Sequence, residues 1–164
     1  METPWGKAQT EADTADGIKW VTTASHGGYY LSKERMAELR QKLPTAPAGI
    51  AASDGGGWFE EDCDWCAVPL AWPHLFEADD ILAAITTASV WRPALMIPAK
   101  LVSWAEEYRK TLHGLWSIEG MMTHGKNWRV SFRQLGSENR RDVVMQNSPG
   151  RRRYTTAELD ELAA

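Results

Sequence analysis

The chain has 164 residues, 43% hydrophobic and 24% charged, with a net charge of −4. A chain of this length removes ~70% of its unfolded surface from water without staples, and its balance excludes global disorder. No apolar run approaches the ~20 residues that cross a bilayer, which excludes a membrane helix by sequence pattern.

The opening METPWGKAQTEAD is polar and lacks the basic and apolar regions of a secretory signal. The expected location is therefore the cytoplasm, with Cys63 and Cys66 as reduced thiols. GIKWVTTAS (17–25) is rich in β-branched residues and predicts a strand. His26-Gly27-Gly28 then predicts a turn, and YYLS a returning strand. Ser32 stands where an N-cap belongs, before a helix over KERMAELRQKL that ends at Pro44. The Pro/Gly-rich stretch 44–57 predicts a flexible loop.

From Trp58 the pattern predicts a helix over about 58–68. Trp58, Trp65 and Trp72 are seven apart and would share one stripe. Pro69 would kink or end it. EADDILAAITTASVW (77–91) and AKLVSWAEEYRKTLHGLW (99–116) predict two more helices around a break at 92–98. The stretch 117–127 predicts a loop. NWRVSFRQL alternates, with Trp128, Val130 and Phe132 on one face, and pairs with DVVMQN as an antiparallel hairpin. NSPGRRR predicts a loop, and TTAELDELAA a terminal helix capped by Thr155 or Thr156. The expected class is α+β: a small antiparallel sheet, with strands near 17–31 and 127–147, packed with about four to five helices in a single domain over 1–164.

The charge is unevenly placed. Residues 1–125 carry a net −7 and residues 126–153 a net +6. The basic hairpin and loop offer Trp128, Arg129, Arg133, Arg140, Arg141, Arg151, Arg152 and Arg153, with Lys126, to a partner. Such a segment suits nucleic acid, an acidic protein, or the chain's own acids. The plain alternative is a solvated, salt-bridged sheet face.

GGGWFEEDCDWC (55–66) concentrates most of the chemistry. On a helix, Glu60 and Asp64 are four apart and Glu61 and Asp64 three apart, so each pair shares a face. Carboxylates so placed can hold Mg²⁺ or Mn²⁺, and with His26 nearby they would make up a hydrolytic site. The plain alternative is an acidic first turn that complements the helix dipole. Acids packed among Trp58, Phe59 and Trp65 require a basic partner, for which the arginines of 126–153 are one source. Cys63 and Cys66 form a lone CxxC, and a structural zinc site needs four ligands, so two ordinary thiols are the better reading. Ser25 and His26 are neighbours on a strand and point to opposite faces, which argues against a nucleophile and its base. His26 remains a candidate base or ligand.

Three stretches together, TPWGKAQ (3–9), GIKWVTTASHGGYYLS (17–32) and GGWFEEDCDWCAVPLAWPHLF (56–76), resemble an uncharacterised family of bacteriophage and mobile-element proteins. In that family T-P-W-G-x-A-Q, T-A-S-H-G-G-x-x-L-S and G-G-W-F/Y-E-E-D-x-D/E-W recur in this order. The likeness covers about residues 3–76 and carries no established activity. It implies an accessory protein of a phage or plasmid, and it draws attention to Trp5, Thr23, Ser25, His26, Gly27, Gly28, Trp58, Glu60, Glu61, Asp62, Asp64 and Trp65. Cys66 and Trp72 depart from the family pattern, which makes the CxxC incidental.

Three expectations follow. The first is a non-enzymatic protein of the bacterial cytoplasm that binds a host protein complex and blunts a defence system such as CRISPR or restriction, with no cofactor. The second is a small metal-dependent hydrolase using His26, Glu60, Glu61 and Asp64. The third is a nucleic-acid-binding protein acting through the basic hairpin.

Overall fold

The structure, a computed structural model, describes residues 1–124, 127–146 and 153–163. The class is α+β. The chain forms two compact units, Met1–Ala105 and Glu106–Ala164, where the sequence pattern suggests one domain. Each unit has its own hydrophobic cluster.

The first unit opens with a minimal hairpin, β1 (Glu2–Thr3) and β2 (Gly6–Lys7). An antiparallel sheet follows, built from β3 (Thr10–Ala15), β4 (Ile18–Thr22), β5 (Gly27–Leu31), β6 (Ile50–Ala51) and β7 (Gly57–Glu60), in the order β3-β4-β5-β7-β6. Between β5 and β6 lies α1 (Lys33–Lys42). Ser32 caps it, its Oγ accepting from the Arg35 amide at 3.3 Å. After β7 come a turn of 3-10 helix (Asp64–Cys66), then α2 (Ala67–Ala71) and α3 (Ala78–Trp91).

The helix expected from Trp58 is instead a strand. Phe59 pairs with Tyr29 and Trp58 with Tyr30, so the ladder satisfies the backbone that a helix would have bonded internally. Aromatic side chains suit a pleated, half-buried surface, and here tertiary pairing decides. Gly27 and Gly28 are likewise not in a turn; both lie in β5. Pro69 is the third residue of α2, where its missing N–H would have had no partner within the helix. All five residues of that short helix are buried, as expected for a helix that is apolar all round.

On the core face of the sheet, Ile18, Leu31 and Phe59 are fully buried against Met36 and Leu39 of α1, α2, and Ile81 and Ile85 of α3. The opposite face carries Trp58 and Tyr30, whose rings lie 5.0 Å apart. Trp5, from the turn of the N-terminal hairpin, packs edge-on to Trp58 at 5.8 Å.

Helix α4 (Ala99–Leu112) runs across the boundary between the units. The second unit then holds an antiparallel sheet of β8 (Trp116–His124), β9 (Asn127–Gln134) and β10 (Arg140–Met145), in the order β10-β9-β8, and helix α5 (Thr156–Ala163). Strand β8 occupies a stretch whose glycines suggest a loop. It pairs along β9 with a register shift between Ile118 and Gly120, and this shift accommodates the irregular pattern. The hairpin of β9 and β10 forms as expected. Its strands and those near 17–31 belong to different sheets. Val130, Phe132, Val143, Tyr154 and Leu159 form the second cluster.

Thr155 and Glu158 make a reciprocal cap on α5. Thr155 Oγ1 accepts from the Glu158 amide at 3.2 Å, and Glu158 Oε2 accepts from the Thr155 amide at 2.7 Å. Thr155→Ala should cost about 1 kcal/mol. A thermal melt of the second unit's signals that is unchanged in the variant would show that the cap contributes nothing.

Candidate functional site

Two neighbouring strand ends, with the loop before one and the turn after the other, assemble the site. In β5 and β7, Gly28 pairs with Glu60, and the Glu61 amide donates to the Gly27 carbonyl at 3.0 Å. His26 directly precedes β5, and Asp62 lies in the turn directly after β7. Glu60 is the last residue of β7, and the turn that follows it brings Asp62 beside His26 as well. One ligand atom from each of His26, Glu60 and Asp62 lies within 4.8 Å of the others. Among the described residues, no other group of three His, Cys, Asp or Glu side chains comes this close.

His26 Nδ1 is 3.5 Å from Glu60 Oε1 and 3.8 Å from Glu61 Oε1. The imidazole is the more exposed partner at 46%, while the Glu60 side chain is 23% exposed. Burial, and next the neighbouring Asp62 carboxylate, push the Glu60 pKa above its ordinary value, and His26 opposes this. No lysine or arginine among the described residues forms an ion pair with Glu60, Glu61 or Asp62.

The glycines make room. A Cβ on Gly27 would stand 2.6 Å from Glu61 Oε2 and 3.0 Å from the Val21 carbonyl oxygen. On Gly28 it would stand 2.3 Å from the Phe59 carbonyl oxygen and 2.7 Å from the Trp5 ring. Any side chain at either position would force the strands or the carboxylate to move.

His26 is held by its own loop. The Thr23 amide donates to the His26 carbonyl at 2.7 Å, and Thr23 Oγ1 donates to the same oxygen at 2.9 Å. That hydroxyl oxygen accepts from the His26 amide at 3.1 Å and from the Ser25 amide at 3.4 Å. The Ser25 side chain lies exposed in the same loop.

Asp64 is absent from this cluster. With 57–60 a strand and the chain turning afterwards, the helical spacing that joined it to Glu60 and Glu61 does not exist. Asp64 Oδ1 instead accepts from Arg92 Nε at 2.5 Å, and Arg92 Nη2 donates to Cys63 Sγ at 2.9 Å. The cationic partner of an acid in this stretch thus comes from the end of α3, not from 126–153. Burial and the Asp64 charge raise the Cys63 thiol pKa, and Arg92 opposes them. Burial pushes Cys66 to about 12. Both cysteines are free, and neither joins a group of metal ligands among the described residues. Trp65 packs against the first core.

The basic hairpin carries its own counter-ions. Arg129 pairs with Asp142, Arg133 with Glu138, Arg140 with Glu119 and Arg141 with Asp160. Trp128 is half-buried against the second core, and Arg153 is half-buried. Lys126, Arg151 and Arg152 lie outside the described residues.

The model of a family described as a domain of unknown function, DUF7007, matches residues 1–113. The chain belongs to this family. No curated protein and no solved structure matches it. The matched segment holds His26, Glu60, Asp62 and the Arg92–Asp64 pair, and it stops before β8. The basic hairpin therefore lies beyond the part of the chain that defines the family.

Three exposed apolar side chains have no counterpart among the expectations above. Trp91 is 63% exposed, beside Val90 at 62%, and Met96 is 72% exposed. From Ile81 to Ala99 the only charged residue is Arg92, and its guanidinium is engaged by Asp64 and Cys63. The signal was available: nineteen residues with one charge, in a chain that is 24% charged, are unusual where α3 turns a side to solvent.

Proposed function

We propose that the protein binds a divalent metal ion through His26, Glu60 and Asp62, and that this ion supports a hydrolytic reaction. The convergence of these three ligand atoms within 4.8 Å, from stretches more than thirty residues apart, carries the reading. One imidazole and two carboxylates suit Mn²⁺, Zn²⁺ or Fe²⁺. A bound ion would lower the pKa of a coordinated water and polarise a substrate oxygen. Glu61, outside the trio but 3.8 Å from His26, is the candidate base. Three adjacent carboxylates and one divalent ion leave the site with a negative charge when His26 is neutral. That charge favours an uncharged or cationic substrate over a phosphate ester.

The test is Mn²⁺ titration of the intact protein, followed by calorimetry and by the electron paramagnetic resonance signal of the free ion. One bound ion per chain at micromolar affinity is the expected result. No binding at millimolar Mn²⁺ or Zn²⁺ would sink the reading.

A second reading rests on the exposed Val90 and Trp91 in a stretch of nineteen residues with one charge. Depletion of charge around an exposed tryptophan is the composition of a protein-binding surface. It supports the narrower proposal that this is a phage or plasmid accessory protein of the bacterial cytoplasm that occupies a host defence complex. Among the described residues, no helix is long and apolar enough to cross a membrane. Trp91→Ala should abolish recovery of a stoichiometric host complex from nuclease-treated lysate while leaving the fold intact. Equal recovery by the variant would remove this surface from consideration.

A further inference from the structure

We infer that Thr23 is the positioning residue of the site: its hydroxyl fixes His26 in the orientation that ion binding needs. This inference rests on the metal reading above. Thr23 is the buried polar residue of the first unit, 9% exposed, at the end of a strand and before a loop that otherwise faces solvent. Its side chain makes three bonds to that loop, two of them to the two ends of His26: the hydroxyl donates to the His26 carbonyl and accepts from the His26 and Ser25 amides. The backbone of His26 is thus held at both its N–H and its C=O by one side chain. The imidazole itself stands among carboxylates, 3.5 Å from Glu60 and 3.8 Å from Glu61, with Asp62 within 4.8 Å. Where its ring stands is set by this clamp and by the β5–β7 register, not by burial, since the ring is 46% exposed.

A hydroxyl is the group this position requires. It must donate to a carbonyl and accept from amides at once, which serine and threonine do and valine cannot. Valine keeps the shape and the Thr23 amide bond to the His26 carbonyl, but leaves two amides without their acceptor. The ligand then samples orientations in which it no longer meets Glu60 and Asp62. Groups that orient a metal ligand without touching the ion typically affect affinity by ~10–100-fold.

The experiment compares Mn²⁺ affinity in the wild type, Thr23→Val and Thr23→Ser by calorimetry, with circular dichroism on each sample. Expected are a ~10–100-fold weaker affinity in Thr23→Val and near wild-type affinity in Thr23→Ser. Wild-type affinity in a folded Thr23→Val would overturn the inference while leaving the metal reading intact. Absence of binding in the wild type would overturn both. Should Thr23→Val not fold, hydrogen exchange of the His26 amide in the wild type decides. A protected amide upholds the clamp, and exchange at the rate of an open chain overturns it.

Discussion

Asp62→Asn and His26→Ala are each expected to weaken Mn²⁺ binding by more than ~100-fold, since even partners that only orient a metal ligand are worth ~10–100-fold. Both side chains reach the site from just outside the strands, His26 from the loop before β5 and Asp62 from the turn after β7, so the fold should survive either change. Asp64→Asn is the control, because that carboxylate belongs to Arg92 and should leave the affinity untouched. Glu60→Gln should act in two directions. It removes a ligand, so binding is lost. It also removes a carboxylate whose pKa is raised by burial and by Asp62. A carboxylate with a raised folded pKa holds its proton more tightly in the folded state, so it costs stability above that pKa, and the cost is relieved as pH falls. Glu60→Gln should therefore melt higher than the wild type at neutral pH without metal, and the two should converge on acidification. Wild-type affinity should fall with pH from a higher pH than an ordinary carboxylate would give. If Asp64→Asn loses the ion and Asp62→Asn keeps it, the helical geometry suggested by the sequence was the right one and the strand register is not.

The residues of the site were legible in the sequence, and their geometry was not. His26 and the acids of 60–64 stand out by chemistry alone. Their arrangement turns on whether Trp58 starts a helix or a strand, and a four-residue segment holds too little periodicity to decide. The deciding partner, β5, is almost thirty residues away, and local pattern cannot register such pairing. The consequence is specific. Helical spacing selects Glu60 with Asp64, whereas a strand that ends at Glu60 and turns directly afterwards brings Asp62 to Glu60 and releases Asp64 to Arg92. The same limit explains β8, whose glycine and paired methionines look like a loop until β9 supplies a ladder. What depended on local chemistry was readable: the Ser32 cap, a threonine cap on α5 at one of two positions, the alternation of β9, and the two helices expected over 77–91 and 99–116, although the second ends at Leu112 and Trp116 already belongs to β8. The partners of the basic hairpin, Glu119, Glu138, Asp142 and Asp160, were each visible as acids but not as neighbours.

Phe59→Ala is expected to cost about 3–5 kcal/mol, the range for an aromatic ring removed from a packed core. Phe59 is fully buried on the core face of the five-stranded sheet, paired with Tyr29 in the central ladder. Tyr29 in turn packs edge-on to Trp20 and Phe76 at 4.8 and 5.9 Å. Deleting the ring leaves a void where the sheet meets the helices, and a close-packed interior closes such a void only in part. Chemical denaturation followed by the signals of the first unit measures the loss, and Phe59→Leu should recover part of it by refilling volume. The location of this residue ties stability to function. Glu60 follows it directly and points the other way, so the strand that buries Phe59 on one face presents Glu60 to His26 on the other. A weakened core therefore loosens the site from beneath, and Mn²⁺, by binding only the folded form, should restore stability with the logarithm of its concentration over its dissociation constant. A Phe59→Ala protein as stable as the wild type would mean that the ring is not packed in this core, and the strand register that assembles the three ligands would fall with it.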